Sequence, residues 1–277
     1  MKTSYKIFIA KILFRFISFF QPNNITCVRN KIKWTLNLNE GIDLSLYIFG
    51  KFEFEIINTA TKLNFEDIAD NSILDIGANI GAHSLQLANK FDNIKIYAVE
   101  PTNFAYNKLI LNLNNNKLVI KNVLPRQVFL SNNFKNKPRK IYSSWNLASS
   151  KNTHKKHFGV SKGLKNASTS SLDNFIKKNN ITNIKLIKLD VDGYELEVLK
   201  SGKNFFKKNK PYIIMEFAPY LYPEFGYNYK DLIKLIDFFG YKYFSINPIK
   251  KIANIENFIK NIKHGSSKNI LLKYQSL

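Results

Sequence analysis

Between residues 25 and 57 apolar and polar positions trade places: Ile32, Trp34, Leu36 and Leu38, then Ile42, Leu44, Leu46 and Ile48. Asn39-Glu40-Gly41 separates the two runs and Gly50 follows. A period of two belongs to strands, so the pattern predicts a β-hairpin or small meander. From Ser72 the rhythm changes. Apolar runs at 72–75, 95–99, 117–123 with 128–130, 184–189, 212–217, 241–246 and 269–273 predict strands. Helices are predicted after the first strand to about Lys90, then over 102–114, 171–178, 194–207 and 229–239. Strands alternating with helices are βαβ units, and the expected fold is α/β with a mostly parallel, doubly wound sheet.

Residues 5–20 are strongly apolar, but Lys6, Lys11 and Arg15 interrupt them. The uninterrupted runs fall far short of the ~20 residues a spanning helix needs. A signal peptide's unbroken apolar region and small-residue cleavage site are also missing. Lys11, Arg15 and Ser18 share one face at helical spacing. Two readings stand: a helix docked on the domain, or an interfacial helix at a membrane surface. The expected organisation is a basic apolar helix over 1–24, a β-hairpin or meander extension over 25–64, and a main domain over 65–277. Residues 131–168 lack clear periodicity and are read as a long insertion.

Composition alters this outline in a few places. The 45% of hydrophobic residues excludes wholesale disorder. A single cysteine, Cys27, excludes a disulfide framework and every Cys-based zinc or iron–sulfur site. A reducing cytoplasm is the expected compartment, with peripheral contact at the inner membrane face through residues 5–20 as the extension of the second helix reading. With 42 Lys+Arg against 20 Asp+Glu the formal net charge is +22. The 36 Asn beside many Lys, Ile, Phe and Tyr look like the imprint of AT-rich coding. Only four of the 42 cations are Arg, the preferred residue for bidentate phosphate contacts. Most of the charge therefore reads as a solvated surface. One stretch is different: from Pro101 to Leu172 there is no Asp or Glu, against 13 Lys/Arg. Such a local field favours an anionic partner.

The first strand-to-helix turn reads Asp75-Ile76-Gly77-Ala78-Asn79-Ile80-Gly81. Glycines there let a ligand approach the backbone in front of a helix N-terminus. No GxxxxGK[ST] string exists, and Asp75 stands where a dinucleotide fingerprint needs its first glycine. A carboxylate at that point repels a pyrophosphate and suits a cationic ligand. The second strand ends in Glu100-Pro101, at the spacing where an acidic residue accepts hydrogen bonds from ribose hydroxyls. Together these features favour a nucleoside site.

Asp75-x-Gly77-x-Asn79-x-Gly81 followed by Glu100-Pro101 resembles the cofactor motifs of class I S-adenosylmethionine-dependent methyltransferases. Ser171-Leu172-Asp173-Asn174-Phe175, the block Ile187–Leu199 around Asp190-Val191-Asp192-Gly193-Tyr194-Glu195, Lys210–Glu216 and Gly240-Tyr241 narrow the resemblance to the FkbM family. It covers roughly residues 45–247. The family commonly has Glu where Asp192 stands, and Gly where Ser201 follows Lys200. The resemblance implies a Rossmann-like class I methyltransferase fold of seven strands, the last inserted antiparallel. It also implies S-adenosylmethionine as cofactor and methyl transfer to a hydroxyl, often on a sugar. The cofactor-binding candidates are Asp75, Gly77, Asn79, Gly81, His83, Glu100 and Pro101.

Asp190 and Asp192 are two apart at a strand end, so both side chains leave the same side of the sheet at its carboxyl edge. Two close carboxylates push one pKa up, which suits a general base. The bland alternative is that Asp190 caps the next helix and Glu195 sits in its first turn. Glu216 ends the following strand and faces the same cleft. Asp190, Asp192 and Glu216 are the catalytic candidates; paired carboxylates can hold a divalent cation, but nothing in the sequence compels one and no metal is assigned. His154 and His157 read as part of a solvated basic loop, with a base-bearing substrate lid as the sharper reading. Trp145 suits stacking on a sugar face, or burial under the loop.

The function expected is O-methylation of a sugar hydroxyl on a glycan, glycolipid or related metabolite. The expected partner is a sugar-containing, anionic acceptor. A nucleic-acid methyltransferase is the alternative that the charge suggests. Against its amino-directed form, the [DN]PP[YFW] signature is missing after the fourth strand, where Asp190-Val191-Asp192-Gly193 stands. A non-catalytic, membrane-associated binding module is the third reading.

Overall fold

In a computed structural model, residues 3–133, 137–148, 153–156 and 158–275 are described. Helix α1 (Thr3–Ser18) leads into a hairpin of β1 (Asn24–Arg29) and β2 (Ile32–Asn37), then α2 (Gly41–Phe49) and α3 (Phe54–Lys62). The central part runs β3 (Ser72–Ile76), α4 (Ala82–Ala88), β4 (Lys95–Val99), α5 (Asn103–Asn116), β5 (Val123–Arg126) and β6 (Val128–Leu130). The region read as an insertion contributes β7 (Lys140–Trp145) and β8 (Gly159–Gly163), and β9 (Ser168–Ser170) follows. The chain continues through α6 (Leu172–Lys178), β10 (Ile184–Leu189), α7 (Glu195–Ser201), α8 (Lys203–Lys208) and β11 (Tyr212–Phe217). It ends with α9 (Tyr229–Phe238), β12 (Tyr241–Ile246), β13 (Ile249–Lys251), α10 (Ile255–Lys260) and β14 (Lys268–Tyr274).

The main sheet has the order β13-β12-β14-β11-β10-β3-β4-β5. Pairing is parallel from β5 through β11, and β14 enters antiparallel between β11 and β12. The antiparallel insertion of the last strand agrees with expectation. The count differs: eight strands, not seven, because the chain after β12 turns back and adds three residues as the edge strand β13.

Alternate residues of each central strand feed one of two cores. Ile73, Ile96, Leu186 and Ile214 point to the face covered by α4 and the N-terminal elements, while Leu74, Tyr97, Ile187 and Ile213 point to the face under α6–α9. Strands buried on both faces read as continuous apolar runs, which is why this part was legible. Side-chain caps mark several helix starts: Thr102 for α5, Ser171 for α6, and a capping box of Asn228 and Asp231 for α9.

The N-terminal extension departs from the expected meander. The hairpin β1–β2 is present, but the alternating run Ile42–Ile48 is helix α2. A third strand needs a free edge on β2, and that edge is taken by side chains of α5. Asn116 accepts from the Lys33 N–H and donates to the Lys33 carbonyl, and Asn112 accepts from the Thr35 N–H. With its strand partners gone, the run coils into a helix, stopped by Gly50 at φ +67°. Asp43, in the first turn of α2, pairs with Lys108 of α5. Trp34, Leu36, Leu44 and Ile56 share one core with Ile73 and Ile96, so the extension is part of the domain's own interior.

The region 131–168 holds an antiparallel hairpin, β7–β8, kinked between Ser143 and Trp145. Its Lys162 is fixed to Glu40, which also accepts from Ser144 and Asn146. The acid-free stretch is thus partly neutralised from outside: Glu40 meets Lys162, Asp43 meets Lys108 and Glu224 meets Lys156. Among the described residues no helix is long and apolar enough to cross a membrane.

Candidate active site

At the carboxyl ends of β3, β4, β10 and β11 lies a cavity of about 550 Å³. Its first wall is the β3–α4 turn. The amides of Gly77 and Ala78 both donate to the Val99 carbonyl, at 2.9 and 3.0 Å, which locks the turn to β4. Gly77 has φ +83°, and a Cβ there would lie 1.7 Å from the Asp190 carbonyl oxygen. No other residue fits. Asn79, also left-handed at φ +51°, donates its N–H to Glu100 Oε2 at 3.0 Å. Gly81 has φ +88°, with Leu85 and Leu109 packed where a side chain would go.

Glu100 is buried at the head of this turn. Its Oε1 accepts from both the N–H and the hydroxyl of Thr102, at 2.8 and 2.6 Å. Burial nonetheless holds its carboxyl above the usual range, against these three hydrogen bonds. Glu100 and Pro101 line the cavity, as do Gly77, Asn79 and His83. His83 is buried with its Nε2 unpaired and its ring against Phe52. Burial, then the nearby Lys188 ammonium, pushes His83 down to about 4, so it sits there as a neutral imidazole.

Asp75 takes a different place from the one expected. It is fully buried and does not line the cavity. One oxygen accepts from the Ser84 hydroxyl at 2.5 Å, and the other faces Lys188 Nζ at 3.4 Å. Its negative charge is spent within the protein, because the neighbouring strand places a lysine beside it. Lys188, only 2% exposed, also donates to the Gly77 carbonyl at 2.9 Å and pairs with Asp190 at 3.5 Å. Burial alone would lower the Lys188 pKa, but Asp190, Asp75 and Glu53 outweigh it and hold the ammonium protonated. Lys188 thus ties the glycine turn, β3 and β10 together. In the sequence Lys188 is one position of a largely apolar strand, and a lysine inside such a run is its only signal.

The opposite wall is acidic. Carboxylate oxygens of Asp190, Asp192 and Glu216 all lie within 4.8 Å of one another. Asp192 is left-handed at φ +49°, and Gly193 at φ +105° has the Phe225 ring where a Cβ would stand. This tight turn aims Asp192 back beside Asp190. Removal from water, then the Asp190 charge, raises both Asp192 and Glu216 well above the ordinary carboxylate range. Glu53, from the turn before α3, adds a fourth carboxylate; burial and Asp190 push it up to about 7, while Asn269 donates to it at 3.2 Å. Nothing in the alternation of 25–57 pointed to Glu53. Glu195 stands in the first turn of α7, while the cap position is Tyr194 and not Asp190; buried, Glu195 accepts from the Val191 and Gly193 amides at 3.2 and 3.3 Å and holds the turn.

The insertion supplies a third wall through Ile141, Ser143 and Trp145. Trp145 both faces the cavity and packs against Gly41. His154 is elsewhere, with its Nε2 2.6 Å from Glu224, and it does not line the cavity. His157 lies outside the described residues.

A family profile described as the methyltransferase FkbM domain matches residues 75–243, more than half the chain. The chain belongs to the FkbM methyltransferase family. Among solved structures, an FkbM methyltransferase from Methylobacillus flagellatus KT is 14% identical, with a TM-score of 0.47 over 81% of this chain and 48% of that one. Fibrillarin in its complex with Nop5p is 17% identical, with a TM-score of 0.45 over 80% and 79%. TYW2 of M. jannaschii in complex with AdoMet is 15% identical, with a TM-score of 0.40 over 91% and 85%. This chain spans about half the length of the M. flagellatus protein. No curated protein sequence matches it.

S-adenosylmethionine is the cofactor of this methyltransferase. The residues fit it. The bare backbone at Gly77, the unpaired His83 Nε2 and the Glu100 carboxylate all border one cavity beside β3. Glu100 stands where ribose hydroxyls can donate to it.

Proposed function

We propose that this FkbM methyltransferase methylates a sugar hydroxyl on a glycan, a glycolipid or a related metabolite. The observation that carries the reading is the convergence of Asp190, Asp192 and Glu216 on the cavity, opposite the glycine turn. A sugar hydroxyl is a weak nucleophile at neutral pH and gains from a base with a raised pKa. Bound S-adenosylmethionine supplies a methyl group already activated on a sulfonium. The acidic wall does the rest: one carboxylate accepts the proton that leaves the hydroxyl as its oxygen is methylated, and the others accept hydrogen bonds from neighbouring hydroxyls. Asp192, raised and aimed by its strained turn, is assigned as the base. Lys188 pairs with Asp190 and holds it in position, and Trp145 offers an apolar face for the sugar ring.

The same wall weighs against a nucleic-acid acceptor, because it presents acidic side chains where a phosphodiester backbone calls for cations. The test offers methyl-labelled S-adenosylmethionine and the purified protein separately to an envelope-glycolipid fraction and to total RNA. Label in the glycolipid, on a sugar oxygen, supports the reading. Label in RNA replaces it with the nucleic-acid alternative. Failure to bind S-adenosylhomocysteine would leave the non-catalytic binding module.

A further inference from the structure

Helix α1 carries apolar residues on two opposite faces. Ile7 and Phe14 are buried against the domain, with Ala10, Leu13 and Ile17 beside them. On the other side Phe8 is 62% exposed and Phe16 65%, and Tyr5, Ile9 and Ile12 are exposed with them; just past the helix end Phe19 reaches 83%. At ~100° per residue, Tyr5, Phe8, Ile9, Ile12 and Phe16 form one stripe. Lys11 and Arg15 border that stripe on one side and Lys6 on the other, and the helix has no acidic residue. A continuous exposed apolar stripe is uncommon on a protein whose surface meets only water.

The stripe adjoins the cavity. Ile9 and Phe49, each about half exposed or more, also line it, so at this end the cavity opens beside the stripe. The lining joins apolar side chains of α1 and α2 (Ile9, Leu13, Ile48) with the carboxylates Asp190, Asp192 and Glu216. An acceptor with an apolar tail and a hydroxyl-bearing head matches that combination.

We propose that α1 lies flat in the surface of an anionic lipid bilayer. Phe8, Ile12, Phe16 and Phe19 sit below the headgroups, and Lys11, Arg15 and Lys6 meet the lipid phosphates. A helix of this type, apolar on its outer face and basic at the flanks, binds through buried apolar area plus attraction to anionic lipids. A second copy of the chain is a poorer occupant, because it would bring the same cationic flanks and another +22 of charge against the first. The docking stands on α1 alone. Its corollary, that the cavity takes a lipid-anchored acceptor from the bilayer, rests on the methyl-transfer reading above.

Co-sedimentation of the full chain with vesicles tests the docking. The expected result is binding to mixed phosphatidylglycerol–phosphatidylcholine vesicles that weakens with salt, and much weaker binding to phosphatidylcholine alone. Combined Phe8→Ser, Ile12→Ser and Phe16→Ser lowers vesicle affinity ~100-fold. None of the three lines the cavity, so S-adenosylhomocysteine affinity stays at the wild-type value. Lys11→Gln with Arg15→Gln lowers affinity for the anionic vesicles ~10-fold or more and leaves the apolar stripe intact. The proposal is overturned if wild type stays in the supernatant. It is overturned if the serine variant sediments as wild type does, or if wild type is a dimer in solution that the serine variant makes monomeric. None of these outcomes depends on label transfer, so the docking and the methyl-transfer reading fail separately.

Discussion

The two walls of the cavity are made on opposite plans. Along the glycine turn nearly every polar group is satisfied within the protein: Val99 takes two amides, Glu100 takes three hydrogen bonds, and Lys188 closes on the Gly77 carbonyl. Across from it, Asp190, Asp192, Glu216 and Glu53 crowd together with one buried ammonium behind them. The first wall is a rigid mould whose shape recognises a ligand. The second is under electrostatic stress in the folded chain and gains when a hydroxyl enters. Shape and reactivity are thereby placed on different strands, β3 and β4 against β10 and β11.

The sharpest way to break the contrast is where the glycine turn packs on the backbone of Asp190. Gly77→Ala drives a Cβ into the Asp190 carbonyl, 1.7 Å away in the present backbone, at φ +83°. A loss of about 3 kcal/mol or more is expected from overpacking and backbone strain, read by thermal unfolding, with loss of S-adenosylhomocysteine binding. Next in size is Lys188→Met. It strips the cation from Asp75 and Asp190 and should cost about 3–5 kcal/mol at neutral pH by chemical denaturation. A loss below about 1 kcal/mol would mean that the two ion pairs contribute little and that Lys188 acts through packing alone.

Asp192→Asn separates the walls by function. Turnover should fall ~100-fold or more while S-adenosylhomocysteine affinity is kept. Equal loss of both would move Asp192 to the cofactor side. The smallest effect is expected at Glu195, which burial pushes up to about 7 from 4.5. An acid raised in the folded state contributes stability that is present below its unfolded pKa and lost as pH rises through its folded one. Wild-type stability should therefore decline between about pH 4.5 and 7. Glu195→Gln keeps an oxygen for the Val191 and Gly193 amides and should flatten that decline by ~1–2 kcal/mol in a pH series of melts.

Much of the site was legible because it is written in short-range terms. Gly77 and Gly81 announce backbone that no side chain tolerates, and Glu100 follows at a distance set by one helix and one strand. Asp190 and Asp192 were paired on the period of two, but both lie past the end of β10, and it is the left-handed turn at Asp192 and Gly193 that brings them together. Other parts were misread for want of partners. Asp75 looked like a ligand group because its counter-charge, Lys188, lies over a hundred residues away. The run Ile42–Ile48 looked like a strand because the asparagines that occupy the β2 edge belong to α5. The basic stretch looked unopposed because Glu40, Asp43 and Glu224 come from outside it.

By itself, then, the chain's pattern determined the alternation of central strands and helices from Ser72 onward, the glycine turn and the closeness of the two aspartates in the chain, since periodicity and backbone sterics act over a few residues. Only the tertiary structure decided which charges face water, which face each other and which are left to face a ligand. It alone brought Glu53 to Asp190, laid the insertion over the cofactor turn, and left one side of α1 bare. Those outcomes depend on long-range packing and on how far each carboxylate is drawn out of water, and neither is a property of any local stretch of sequence.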